Sequence, residues 1–363
     1  MPNPHLSQFD NIINWLLDPE DPGVRYLALR DLTGLAQDAA ELAQARRKAH
    51  EHGPIDTVLR GMHPEGFWAK PGAGYGPKYR STVWAVILLG QLGASLNEDG
   101  RVSAGCTYLL DHTLAPGGQF STSPNASPSG TIDCLQGNLL SALLDMGCED
   151  PRLEKAVEWT ARSVTGEGVA PLEEKNAPVR YYQYKRGPDF RCGANFGYPC
   201  AWWAVKVLSA LSRVPAGMRT PLVERAIARG VDFFFSVELT SADWPGHRYV
   251  NPERTPLKSY TDNLPGTAAY RPSGNWWRFG FPLFYVTDLL QVADVLARLG
   301  YGCDPRMAAL LDYIRGKADP QGRWALEYEY NQKTWGNYGV KRQPNKWVTL
   351  RALRALKAAG VFS

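Results

Sequence analysis

Three cysteines stand where apolar segments begin. Cys134 follows Asp133 at the head of Cys-Leu-Gln-Gly-Asn-Leu-Leu-Ser-Ala-Leu-Leu. Cys192 and Cys200 bracket the start of the next apolar run, in Arg191-Cys-Gly-Ala-Asn-Phe-Gly-Tyr-Pro-Cys-Ala-Trp-Trp203. A thiolate at a helix N-terminus meets the positive end of the helix dipole, which favours its charge. Zinc takes Cys, His and carboxylate ligands in tetrahedral sites. Cys134, Cys192 and Cys200 are therefore candidate metal ligands, with zinc the expected cofactor. His247, in Asp243-Trp-Pro-Gly-His-Arg-Tyr249, or Asp133 supplies the expected fourth position. The competing reading is three ordinary buried thiols, since free Cys is among the most buried residue types. Cys106, Cys148 and Cys303, in outer helices or helix ends, are expected to be buried residues of that ordinary kind.

Other polar candidates lie in the loops ahead of those segments. Arg180-Tyr-Tyr-Gln-Tyr-Lys-Arg186 mixes cations with tyrosines, a composition that binds phosphate or carboxylate and stacks on a flat group. The candidate catalytic residues are Asp133, Tyr182 and Arg186. Glu327 and Glu329 alternate with Tyr328 and Tyr330 and offer an acid and a base two residues apart, but a solvated loop accounts for them better.

The elements that position these groups repeat. A Gly-x-aromatic turn recurs at Gly66-Phe-Trp68, Gly118-Gln-Phe120 and Gly322-Arg-Trp324. Each is followed by a polar loop and an apolar helix, beginning near Lys78, Asp133 and Lys346; two more apolar helices are expected near Tyr198 and Phe279. Each apolar helix ends at Gly or Pro, and a one-faced helix follows, as at Leu153 to Val164. A helix apolar on every face must be covered all round, whereas an amphipathic one coats it. With N-terminal helices at Leu6 to Leu17, Val24 to Thr33 and Leu35 to Leu59, this alternation predicts about six helical hairpins in an all-α fold. The expected architecture is an (α/α)6 toroid, a closed barrel of about six inner and six outer helices. It forms one domain over residues 1–363, with 1–60 completing the ring and 61–363 carrying the degenerate repeats.

Composition narrows the function classes. The 363 residues carry 40 Lys+Arg against 36 Asp+Glu, a surplus of +4 that gives no electrostatic case for nucleic acid. No apolar run approaches the roughly 20 residues of a membrane span. The N-terminus lacks a basic stretch ahead of its apolar residues, and six cysteines are too few for a disulfide scaffold, so a reduced, cytoplasmic protein is expected. Twelve Trp and 17 Tyr suggest a lined cavity.

Gly-x-Trp turns feeding apolar helices resemble the repeats of the terpenoid cyclase and protein prenyltransferase superfamily. The closing segment, Asp319-Pro-Gln-Gly-Arg-Trp324 through Lys346-Trp-Val-Thr-Leu-Arg-Ala-Leu-Arg-Ala-Leu356, and Arg278-Phe-Gly-Phe-Pro282 are similar to bacterial prenyltransferase/squalene-oxidase-repeat proteins. The resemblance covers roughly Gly66 to Gly360. The fuller repeat has Gln four residues before the Gly; here Met62, Leu114 and Ala318 stand there. The Asp-x-Asp-Asp acid of class II cyclases and the Asp-Asp-x-x-Asp diphosphate box are absent. Prenyltransferase β subunits hold zinc with an Asp and a Cys at the start of one inner helix and a His at a later one. Asp133 and Cys134 resemble the first pair, though adjacent rather than separated by one residue, and Cys200 falls near the place of the His.

The resemblance implies a zinc-dependent transferase or cyclase-like enzyme acting on a largely apolar small molecule with a polar head. The expected pocket opens at the N-terminal ends of the inner helices, with Trp84, Trp202, Trp277, Arg278 and Phe281 contacting substrate and Arg180, Lys185, Arg186 and Lys346 adding charge to its rim. The alternatives are a carbohydrate-active (α/α)6 hydrolase or lyase and a non-catalytic binding toroid. No protein partner is indicated.

Overall fold

The computed structural model describes residues 11–183, 185–195, 197–244 and 273–362. Their regular structure is helical, and β pairing among them is confined to isolated bridges. Six helices form the inner layer: α1 (Pro22–Leu32), α4 (Thr82–Leu92), α6 (Asp133–Asp145), α8 (Ala201–Leu211), α10 (Leu289–Leu296) and α12 (Lys346–Ala358). Each packs against the next in that order, and α12 returns to α1, closing a ring. Outside it lie α2 (Ala40–Glu51), α3 (Pro54–Arg60), α5 (Gly100–Thr113), α7 (Arg152–Thr165), α9 (Pro221–Phe234) and α11 (Ala308–Gly316). α2 covers α1, α5 covers α4, α7 covers α6, α9 covers α7 and α8, and α11 covers α10. The chain is an all-α toroid.

The two layers follow from their residues. Every residue of α8 is buried, and in α4 only Gln91 is not. In α9 the buried set is Val223, Ala226, Ile227, Gly230, Val231 and Phe234, one face at helical spacing.

The Gly-x-aromatic turns are a joint between the layers. Gly66, Gly118 and Gly322 have φ of 93°, 93° and 76°, the left-handed region that glycine enters without Cβ strain. Two residues on, the Trp68 indole donates to the Val58 carbonyl on outer helix α3 at 2.7 Å, and the Trp68 amide donates to Thr82 Oγ1 on inner helix α4 at 3.1 Å. Trp324 repeats this with Ile314 on α11 and Thr349 on α12, at 2.7 and 2.9 Å. The Phe120 amide donates to Gln136 Oε1 on α6 at 2.7 Å. Trp244 joins the series, its indole donating to the Phe234 carbonyl at 3.0 Å, with Ala242 at φ 50° in place of the glycine.

Two expected helices differ. The stretch Leu35 to Leu59 breaks into α2 and α3 at Gly53-Pro54, where Gly53 has φ 87° and proline starts the next helix. The fifth inner helix was expected from Phe281; it starts at Leu289, capped by the Asp288 side chain. The chain from Phe281 to Tyr285 instead enters the ring without regular structure. Its backbone is held by the inner layer: Gln91 donates to the Leu283 carbonyl and accepts from the Leu283 amide, at 2.6 and 2.7 Å. Asn138 donates to the Phe284 carbonyl and Lys206 to that of Tyr285, each at 2.8 Å. Phe284 is fully buried, its ring 5.0 Å from Tyr79 and 5.6 Å from Trp84. This segment plugs one level of the ring.

Candidate functional site

The three cysteines meet. α6 and α8 approach backbone to backbone because position 137 is glycine: a Cβ there would overlap the Lys206 carbonyl. Toward the start of each helix stand Cys134, one turn before Gly137, and Cys200, the N-cap residue of α8. The loop ahead of α8 folds back through bridges Lys185 to Cys192 and Arg191 to Pro199, and the Cys200 amide donates to the Phe190 carbonyl at 2.9 Å. That fold brings Cys192 in from the other side. The Cys200 thiol is hydrogen-bonded to both Cys134 and Cys192.

Electrostatics divide the three. Cys134 and Cys192 sit below the usual thiol range, each chiefly because it hydrogen-bonds Cys200. The Ala194 and Asn195 backbone amides add to the effect at Cys192. Cys200 is pushed well above that range by those two hydrogen bonds and by burial. Ionisation is thus eased at Cys134 and Cys192 and opposed at the Cys200 thiol between them. Two buried lysines face the cluster. Burial pushes Lys185 down to about 7, with Asp133 and Cys192 pulling the other way. Its Nζ donates to the Gly187 carbonyl and lies 3.5 Å from the centre of the Trp203 ring. Lys206 is also lowered by burial, opposed by Cys134 and Cys200.

Asp133 completes the cluster. It is buried, burial raises its carboxyl well above the usual range, and its Oδ2 has no hydrogen-bond partner. Cys, carboxylate and amine are the donor chemistry of a zinc site and its surroundings. Among the described residues, however, no group of three or more His, Cys, Asp or Glu side chains stands in metal-holding geometry. The thiols are turned toward one another. His247 lies outside the described residues.

The other expected residues separate. Tyr182 is half-buried beside the cluster, with the Arg180 guanidinium 4.4 Å from its ring centre; Arg186 is exposed. Trp84 is fully buried and donates to the Tyr75 carbonyl at 2.7 Å. Trp202 is buried, and Trp277 donates to the Thr240 carbonyl at 2.8 Å. Arg278 is exposed. Phe281 stacks on Trp347 with centroids 4.6 Å apart. Lys346 does not add free charge to a rim: it pairs with Asp18 at 2.8 Å and with Asp21, joining α12 to the turn before α1. Cys303 is exposed rather than buried.

The cavity also differs from the expected one. A chamber of about 400 Å³ lies within the ring, walled largely by the later turns of the inner helices, the end away from the cysteines. Of the five residues expected to contact substrate, only Phe281 borders it. Its wall is polar: Arg30, Arg213, Arg298, Arg351 and Arg354, with Asp31, Asp145 and Asp294. The plug displaces the aromatic pocket, since Phe284 and Tyr285 occupy the space beside Trp84. Lys206 and these arginines carried no signal in the sequence beyond being charged residues inside otherwise apolar helices. That intrusion is itself the usable clue.

The fold thus defines the protein as an α/α toroid with a thiol-rich cluster at the start of two inner helices. No family model and no curated protein matches the chain. Solved structures do: a protein from Actinoplanes is 16% identical with a TM-score of 0.36, covering 88% of this chain and 99% of that one. A variant of the type II terpene cyclase MstE from Scytonema, in complex with its product merosterolic acid A, is 13% identical with a TM-score of 0.32, covering 88% and 97%. No described helix is long and apolar enough to cross a membrane.

Proposed function

We propose that the toroid is a zinc-dependent enzyme for a small molecule, with Cys134, Cys192 and Cys200 as ligands and Asp133 as the fourth donor. The observation that carries this reading is the meeting of three sulfurs from two separate segments beside a buried carboxylate oxygen with no partner. Loss of a proton from Cys200 would accompany binding, because zinc takes thiolates. Bound zinc would supply Lewis acidity or an activated thiol or water. Lys185 and Lys206, buried beside the cluster, would offset the negative charge of the thiolates and orient an anionic substrate group. Cys134 is a half-buried residue, and Cys192 and Cys200 are each 7% exposed.

The apolar substrate is not carried forward, because the chamber is polar. A glycosidase reading is disfavoured as well: Asp31, Asp145 and Asp294 are each paired to arginine, which leaves no free acid and base in the wall.

Elemental analysis of the purified full chain tests the proposal. About one zinc per chain is expected, falling several-fold in Cys134→Ser and in Cys200→Ser. Chain free of stoichiometric metal even after zinc is supplied, or serine variants with unchanged content, would overturn it.

A further inference from the structure

The polar chamber has more positive charge than its own pairs consume. Arg213 is spent on Asp145 through two hydrogen bonds of 2.7 Å. Arg351 is spent on Asp288, behind the wall, through two of 2.8 Å. Three guanidinium groups remain, those of Arg30, Arg298 and Arg354, for two carboxylates, those of Asp31 and Asp294. Arg30 pairs with Asp31 at 2.7 Å, Arg298 pairs with Asp294 at 3.0 Å, and Arg354 leans on the already engaged Asp31. Arg354 Nε is buried and has no hydrogen-bond partner.

A partly buried guanidinium that must share its carboxylate is costly unless something else pairs with it. The later turns of the inner helices offset part of that cost, because the carbonyl ends of helices favour cations. They do not donate geometry: guanidinium groups are matched by carboxylate or phosphate oxygens in two parallel hydrogen bonds. Burial lowers Arg354, and although Asp31 opposes this, the like charges of Arg30 and Arg298 add to the lowering, which is strain an anion would relieve. The same wall carries neutral hydrogen-bonding side chains, Asn138, Ser141, Ser209 and Gln291. About 400 Å³ falls within the usual range for small-molecule sites.

We propose that this chamber binds a small hydroxylated anion, a polyol bearing one carboxylate or phosphate. Its charged group sits among Arg30, Arg298 and Arg354, and its hydroxyls meet the amides and serines of the wall. The site is separate from the cysteine cluster and does not depend on zinc.

Calorimetric titration of the full chain with gluconate, glucose 6-phosphate and glucose tests this. Saturable binding of at least one of the two anions is expected, with glucose at least tenfold weaker. The affinity for that anion should fall at least tenfold in Arg298→Gln and in Arg354→Gln and stay unchanged in Cys200→Ser. Should Arg354→Gln fail to fold, Arg298→Gln carries the test, because that side chain is 41% exposed and tolerates change. Glucose binding as tightly as the anions, no binding of either anion, or arginine variants that bind like the parent would overturn the proposal. Loss of binding in Cys200→Ser would overturn its independence from the metal site.

Discussion

Arg351 on α12 grips Asp288, the N-cap of α10, through two hydrogen bonds of 2.8 Å. Asp288 is 1% exposed and also accepts from the Gln291 amide at 2.9 Å and the Gly280 amide at 3.3 Å. One carboxylate therefore caps a helix, fixes the entry of the plug and joins two staves of the ring.

Removing one partner of such a pair leaves a buried charge alone. Asp288→Asn is expected to cost about 3–5 kcal/mol, the range for breaking a buried ion pair. Replacing both partners, Asp288→Asn with Arg351→Met, should recover part of that loss. Urea denaturation of Asp288→Asn, Arg351→Met and the double variant measures the coupling, and simple additivity would contradict the structural account.

The plug should respond to its latch. Gln91→Ala removes both hydrogen bonds to Leu283 and is expected to cost about 1–3 kcal/mol while speeding hydrogen exchange of the Leu283 amide. Phe284→Ala, which empties a fully buried site, should cost about 3–5 kcal/mol. Exchange at Leu283 unaffected by Gln91→Ala would show that the amide is held by something else.

Asp31 predicts an acid limb. Burial opposes its ionisation, but the Arg354 charge and the Arg30 hydrogen bond outweigh it and hold the carboxyl at about 2. A depressed carboxyl binds fewer protons folded than unfolded, so its contribution is complete above the unfolded value of about 4 and is lost as pH falls toward 2. The loss should be roughly 2 kcal/mol and should be missing in Asp31→Asn. Denaturation midpoints between pH 2 and pH 7 measure it.

The six thiols should react in two classes. Cys303 is exposed, whereas Cys106 is 2% exposed and burial pushes its thiol far up. Ellman's reagent on the native chain should show a fast phase that disappears in Cys303→Ser, with Cys106 reacting only on denaturation. A fast phase that survives the substitution would place the reactive thiol elsewhere.

The layered helices were legible because burial on all faces or on one face writes a period into the chain. The turns were legible too, because a left-handed glycine two residues before a buried aromatic is a local requirement. Trp244 reads in the sequence only as the start of the long loop before the helix near Phe279, because Ala242 occupies the glycine position of the turn. The plug was hidden for a different reason. Phe279 to Val286 is as apolar as an inner helix, and apolar content alone does not say whether a segment lines a ring or fills it.

That Cys134 and Cys200 open successive apolar segments was also readable. Their contact was not, because it depends on Gly137 letting α6 touch α8 and on a loop folding Cys192 back. The chamber lay further out of reach. Arg30 on α1, Arg298 just past α10 and Arg354 on α12 are well separated in the chain, and only closure of the ring puts three cations against two carboxylates. Sequence determined the layers and their joints because those are set by neighbours along the chain. Tertiary structure decided what fills the ring and where its charge is left unpaired, because those depend on residues that meet only after it closes.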